Sequence, residues 1–461
     1  MSTKITFIGG GSYQWAPTLL LDIAQTRSLA DAEVALCDLD PEPLPRMREL
    51  VEHINELAGT KLTCTTSTNR RELLAGSDYV VVCISTGALT SMAIDLAVPE
   101  RYGIKQSVGD TVGPGGINRA LRNIPVLVGI ARDMEERCPD AWLLNLTNPM
   151  TTLTRSVTSA TSIETIGLCH EVTLATFQLS LLLDCDMRAI DIEVCGVNHL
   201  PVITKLTADG RDGLAELADK LEDPEAFGRE TLHLPEMIGH EAISGGGDWT
   251  KAGIVEQNKV KFELFRRFGA LPGAGDRHLV EFFPGFLTEH SDWGGKWGVK
   301  LTPISDRELH QSMFIKNLEK MLAADALPNR PSGEIVAPII DSRLRDKTRS
   351  FPINVPNTGQ CPDIPDDAVV EGIGEIDAQG VRPRDVVWAP PLLAEYLRRV
   401  SASQELTVEA ALAGDRELAF QAMLADPLAS RIDYDDVWRM TNELIDETAR
   451  WLPQFAGNVV S

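Results

Sequence analysis

Lys4-Ile5-Thr6-Phe7-Ile8-Gly9-Gly10-Gly11-Ser12 opens the chain with a short strand-like run that stops at three glycines. β-Branched and aromatic residues favour extended backbone, and glycine lets the chain turn back sharply. Amphipathic spacing predicts a helix over Ala16–Thr26, then a strand over Glu33–Cys37 that closes on Asp38. A helix follows over Arg46–Leu57, its apolar face formed by Met47, Leu50, Val51, Ile54 and Leu57. Tyr79–Ile84 is a continuous apolar run, as expected of a strand buried on both faces. A helix is predicted over Leu121–Met134 and a strand over Trp142–Leu146. This alternation argues for a doubly wound parallel α/β sheet with a dinucleotide-type turn at its first strand.

Past Asn148-Pro149 the pattern changes. Strands are predicted over Thr165–Leu168 and Ile190–Val197, and helical patterns dominate after residue 210, with loops such as Gly245-Gly246-Gly247. Helices are expected over Leu392–Ser401, Val408–Ala413 and Tyr434–Glu447. The reading is an N-terminal Rossmann-like α/β domain, residues 1–195, and a mixed α+β substrate, metal and oligomerisation domain, residues 196–461. The net charge is −24, from 67 acids against 43 bases among 461 residues. Such a surface repels phosphate backbones and anionic lipid, so neither nucleic acid nor membrane is an expected partner. With no signal-like start and eight scattered cysteines lacking a CxxC pair, the expectation is a cytoplasmic protein with reduced thiols.

Four motifs carry the chemistry. Gly9-x-Gly11 between strand and helix offers backbone N–H groups to a pyrophosphate, although Gln14 replaces the third glycine of the usual fingerprint. Asp38 could accept the ribose hydroxyls and would disfavour a 2′-phosphate, hence NAD over NADP; the alternative is a tight turn with a capping acid. Gly109-Asp110-Thr111-Val112-Gly113-Pro114-Gly115-Gly116, followed by Arg119 and Arg122, is either a ligand-approaching loop or a flexible surface one. Asn145-Leu146-Thr147-Asn148-Pro149 ends a buried strand, where open α/β sheets bind ligands; a plain turn before proline is the alternative. Cys169-His170-Glu171 and Gly196-Val197-Asn198-His199 could share a divalent cation between thiolate and imidazole, or could be ordinary core residues. Lys259-Val260-Lys261 and His278 stand further on, and a buried lysine with a lowered pKa could act as a base.

Taken in order, IGGGS, GDTVGPGG, NLTNP, CHEV and GVNH, with RRFGALPGAGDRHLVEFFP, INVPNTGQ and VEAALAGDRELAFQAMLADPL, resemble the family-4 glycoside hydrolases along nearly the whole chain. The resemblance implies a lactate/malate dehydrogenase-like fold, with NAD and a divalent metal, usually manganese, as cofactors. These enzymes depart from the two-carboxylate mechanism of most glycosidases. NAD takes a hydride from C3 of the sugar, the metal stabilises the enediolate formed when the C2 proton leaves, the aglycone is eliminated, and water adds before the hydride returns. By this resemblance Gly9, Gly11, Ser12 and Asp38 match the cofactor-binding segment, Asn148 a substrate contact, and Cys169 and His199 the metal ligands. Gly10, Thr86 and Asn145 are further candidate cofactor contacts, and Asn198 and His278 further candidate substrate contacts. Phosphosugar members typically carry Asp or Asn after that cysteine. Cys169-His170-Glu171-Val172 is instead similar to members acting on unphosphorylated α-glucosides, and related forms serve α-galactosides and α-hexuronides. Many members place a Tyr or Asp base where this chain has Gln257-Asn258-Lys259-Val260-Lys261, so Lys259, with Lys261 in reserve, is the expected base beside His170 and Glu171 as catalytic candidates. A homodimer or homotetramer is expected on the same grounds. An ordinary NAD-dependent sugar or hydroxy-acid dehydrogenase and a non-catalytic NAD-sensing protein are the rival readings.

Overall fold

The computed structural model describes residues 2–223, 227–230, 250–328 and 332–456. The predicted loop Gly245-Gly246-Gly247 lies outside them. The first strands run β1 (Lys4–Ile8), β2 (Glu33–Cys37), β3 (Thr63–Ser67), β4 (Tyr79–Val82), β5 (Trp142–Asn145) and β6 (Thr165–Gly167). They pair in parallel in the order β3-β2-β1-β4-β5-β6, with helices in the crossovers. Side chains alternate between the two faces. Tyr79 and Val81 pack with the helices Trp15–Gln25 and Leu44–Ala58, while Val80 and Val82 pack with the long helix Gly113–Arg137 and with Pro391–Ala413. Each fully buried Val or Leu contributes about 1.5–3 kcal/mol, so two covered faces account for the all-apolar β4.

β7 (Ile190–Val197) and β8 (Leu200–Ala208) form an antiparallel hairpin, extended by β9 (Arg211–Asp212) on β8 and by β10 (Leu271–Pro272) on its other side. The sequence reading expected helices to dominate beyond residue 210, and here the fold differs. β11 (Arg349–Pro356), β12 (Val369–Asp377) and β13 (Gly380–Pro383) extend the first sheet antiparallel, making it nine-stranded. Pro352 and the glycines at 372 and 374 hide these strands from a propensity argument. β6 meets β11 only at Asn354, so Pro352 lies beyond its ladder. Two further boundaries move. The helices expected at 392–401 and 408–413 are one, Pro391–Ala413, and the helix expected from Leu121 begins at Gly113. The glycine-rich stretch is therefore neither loose nor superficial. A Cβ on Gly116 would lie 2.5 Å from the carbonyl carbon of Thr111, and one on Gly115 would lie 3.0 Å from Asp95 O. These glycines let the first helical turn pack on the strand of chain before it. Among the described residues no helix is long and apolar enough to cross a membrane.

Parallel strands finish on one edge. That edge carries Gly9, Asp38, Cys83–Thr86, Asn145–Asn148 and Cys169, and the β7–β8 turn reaches it through Asn198, whose N–H donates to Thr151 Oγ1 at 3.0 Å.

Candidate active site

At the end of β1 the N–H groups of Gly9 and Gly10 both donate to Cys37 O, at 2.9 and 2.8 Å, tying the turn to β2. Gly9 has φ +93°, and a Cβ there would lie 2.1 Å from Cys83 O; one on Gly11 would lie 2.5 Å from Pro43 Cγ and 2.8 Å from Asp38 Oδ2. Only glycine fits this cradle. The half-buried Asp38 accepts the Gly11 N–H at 2.9 Å, and Ser12 Oγ accepts from Trp15 N at 3.2 Å as the helix begins. A backbone cradle, a helix N-terminus and an acid on the neighbouring strand end suit a dinucleotide. Thr86 has both backbone groups engaged: its N–H donates to Asn123 Oδ1 at 3.0 Å, and its carbonyl accepts from Arg122 Nε at 2.9 Å. Arg122 is fully buried in a two-armed ion pair with Asp95. Asn145 is also fully buried, and its amide braces the turn through Thr147 N (2.9 Å), Thr147 O (3.2 Å) and Thr154 Oγ1 (3.3 Å).

The second half of the site forms where Asp110 meets the β7–β8 hairpin and the short helix Asp276–Phe282. His199 occupies the left-handed region, φ +64°, at the two-residue turn of that hairpin, a conformation non-glycine residues seldom adopt. One ligand atom each from Asp110, His199 and His278 lie within 4.8 Å of one another. The imidazoles of His199 and His278 stack at 3.6 Å and 26°. The Thr111 hydroxyl donates to Asp110 Oδ1 at 2.7 Å, so His199 Nδ1, also 2.7 Å away, donates to the hydroxyl oxygen, and Nε2 is left bare. Asn148 Nδ2 donates to Asp110 Oδ2 at 3.2 Å, and Arg119 Nε donates to Asn148 O at 3.0 Å. Burial and the facing imidazole push His199 down to about 3, and burial lowers His278 as well. Burial works against ionising Asp110, but the imidazoles and Arg119 outweigh it and hold the carboxyl below the usual range. His278 Nδ1 and Asn148 Oδ1 are buried without a partner among the described residues. One carboxylate, two neutral imidazoles and orphaned polar atoms turned inward are a donor set that fits a divalent cation.

Cys169 ends the β6 segment, buried, with its thiol against Asn198, Glu371 and Glu171; burial and those two acids push its pKa well up. The thiol is not one of the three clustered ligand atoms. Asn198 Nδ2 donates to Glu371 Oε2 at 3.2 Å. Burial pushes the Glu371 carboxyl up to about 8. Burial alone would raise Glu171, yet His278, His170, His199 and Lys261 around it bring it down to about 2, and its Oε2 accepts the Gly275 N–H at 2.6 Å. His170 lies between Glu334 Oε1, 3.5 Å from Nδ1, and Glu171 Oε1, 3.9 Å from Nε2.

The two lysines part company. On the helix Lys259–Phe268, Lys259 is exposed, whereas Lys261 is 4% exposed and faces Glu171 and Asp276. Burial lowers the Lys261 ammonium pKa while those acids oppose the shift. The spacing carried this signal: Lys261, Leu264, Phe265 and Phe268 follow helical periodicity, which puts Lys261 on the inward stripe. Asp110, Glu281 and Glu371 were not singled out from the sequence. Asp110 sat within the quoted glycine motif, and Val280-Glu281-Phe282 and Val370-Glu371 each set one acid in an apolar run, the pattern of a buried functional or bracing carboxyl.

Residues 4–184 match the model of the family 4 glycosyl hydrolases and residues 194–429 that of their C-terminal domain. An alpha-galacturonidase from Thermoanaerobacter italicus is 32% identical over 97% of both chains. The solved structure of the Bacillus subtilis protein lplD is 32% identical, covers 96% of this chain and 99% of its own, and superposes with a TM-score of 0.82. The 6-phospho-beta glucosidase of Thermotoga maritima, solved with manganese, NAD+ and glucose-6-phosphate, shares the fold at 20% identity, 97% and 99% coverage and TM-score 0.76. A Plasmodium falciparum malate dehydrogenase also shares it, at 12% identity, 90% and 99% coverage and TM-score 0.51. The expected dehydrogenase-like fold is thus present.

Proposed function

The chain belongs to family 4 of the glycosyl hydrolases, and from that premise we propose that it hydrolyses unphosphorylated α-glycosides, α-glucosides first, with NAD and a divalent cation, manganese, as cofactors. The observation that carries the reading is the pairing of a glycine-only cradle beside Asp38 with the Asp110, His199 and His278 donor set along one sheet edge. Bound NAD would accept a hydride from the sugar C3, and the cation would polarise the C2 and C3 oxygens.

The chain's own residues do the rest. Gly9, Gly10 and Gly11 admit the pyrophosphate, and Asp38 accepts from the ribose diol. Asp110, His199 and His278 would hold the cation; Cys169, which the resemblance implies as a ligand, lies outside that cluster and would join it only once its thiol is deprotonated. Asn148 Oδ1, buried without a partner among the described residues, would accept from a sugar hydroxyl. Lys261 is a better base than Lys259, since burial favours the neutral amine that must take the C2 proton. Glu171, ionised throughout the neutral range, repels a phosphate dianion and so disfavours 6-phosphorylated sugars. A uronoside is the second reading. Among the described residues Arg277 Nε is buried without a partner, beside His278 and Arg307, as a carboxylate site would have it, and the relative from T. italicus is an alpha-galacturonidase.

A panel of nitrophenyl α-glucoside, α-galactoside, α-galacturonide and their 6-phosphate counterparts, with NAD, Mn²⁺ and a reductant, tests this. The expected result is α-glucoside hydrolysis without net NADH. Fastest turnover of the uronide selects the second reading. A tenfold preference for a 6-phosphate, or NADH formed in step with product, overturns both.

A further inference from the structure

The helix Asp276–Phe282 presents His278 and Glu281 one turn apart, and the two do different work. Glu281 is fully buried, and its Oε1 accepts the N–H groups of Val108 and Gly109, at 2.8 and 2.9 Å, the two residues immediately ahead of Asp110. The same helix takes the Ser107 hydroxyl on its Arg277 carbonyl. From the neighbouring helix Ile304–Leu322, Arg307 Nη2 donates to Val108 O at 2.6 Å. Segment 107–109 is thus clipped to the element that carries His278, and Asp110 follows directly from the clip. We propose that Glu281 is a positioning residue for the cation site: by fixing the backbone of Val108 and Gly109 to the His278 helix, it sets the separation of Asp110 from His278.

This rests on the reading of Asp110, His199 and His278 as cation donors. Without the Glu281 acceptor, two buried N–H groups lose their partner and the segment must shift to find another, carrying Asp110 with it. Burial also pushes the Glu281 carboxyl up to about 8. A glutamine, whose amide oxygen can accept the same two bonds, should replace it.

Mn²⁺ affinity of the purified full chain, titrated by the electron paramagnetic resonance signal of free Mn²⁺ without sugar or NAD, tests the proposal, alongside thermal unfolding. Glu281→Leu should weaken Mn²⁺ binding at least tenfold, and Glu281→Gln should stay within threefold of wild type. Leu binding as tightly as wild type overturns the proposal, as does Gln failing tenfold with an unchanged melting temperature. If the Leu variant does not fold, the Gln variant decides alone by the same limits. Wild type and His199→Ala separate the two claims: no binding by wild type sinks the cation reading itself, whereas binding lost in His199→Ala but kept in Glu281→Leu sinks only the role of Glu281.

Discussion

Replacing Asp38 by alanine should weaken NAD binding by about 1.5–3 kcal/mol, roughly ten- to 150-fold in Kd. The figure follows from the local structure. Asp38 is half-buried, and Oδ2 already holds the Gly11 N–H at 2.9 Å, while Oδ1 takes Asp40 N at 3.1 Å. Its remaining acceptor positions are available to two ribose hydroxyls. A hydrogen bond to a charged acceptor is worth about 1.5–3 kcal/mol, and solvent access keeps a pair here near that range rather than at its double. Losing the Gly11 bond also slackens the cradle, which adds to the same side. NADP should respond oppositely, because the carboxylate that would repel its 2′-phosphate is gone; the ratio of NADP to NAD dissociation constants should fall at least tenfold. Both constants can be titrated by quenching of intrinsic fluorescence, Trp15 being the first helical residue after the turn. Asp38→Asn, which can still accept one bond, should fall between. NAD affinity within twofold of wild type in Asp38→Ala, with the NADP ratio unmoved, would refute the assignment of the cradle.

Lys261→Met should lower turnover by about a hundredfold or more and stop exchange of the sugar C2 proton with deuterated solvent, whereas Lys259→Met should change either by less than about twofold; the reverse order would return the base to Lys259. Cys169→Ser and His199→Ala should each abolish turnover in a protein that unfolds like wild type, and chelation should do so reversibly on adding Mn²⁺ back, while undiminished activity after exhaustive chelation would count against any cation. Asp22, buried and raised to about 6 by that burial against two opposing bonds from Ser332, predicts a pH effect on stability. The folded state binds this proton more tightly than the unfolded one, so the contribution is present below about pH 4 and is lost as pH rises through 6. Asp22→Asn can keep both bonds to Ser332 without ionising, and in urea titrations it should gain on wild type by roughly 2 kcal/mol between pH 4 and 7; a difference that does not vary with pH would disprove the linkage.

Much of the first half of the molecule was legible in the sequence because it is governed by short-range effects. The all-apolar run Tyr79–Val82 can only be a strand covered on both faces, the three glycines after Ile8 can only be a turn, and the 3.6-residue spacing from Met47 to Ile54 orients a helix without knowledge of its partner. The same periodicity places Lys261 on the inward stripe, but the resemblance pointed to Lys259, which the structure leaves exposed. The ordered motifs carried the family; of the two metal ligands they implied, His199 stands in the donor cluster and Cys169 does not. What only the tertiary structure decided depends on contacts between residues far apart in the chain. β11 and β12 join the sheet although Pro352, Gly372 and Gly374 argue against strands, because pairing and burial outweigh weak local preference. Asp110 reads as one acid in a glycine-rich stretch until His199 and His278 close around it. Glu281 and the backbone of Val108 it holds stand 173 residues apart. Propensity and periodicity act over a few residues, so they fix elements and the faces those elements bury. A site assembled from a strand end, a hairpin turn and a helix exists only once the core has brought them together.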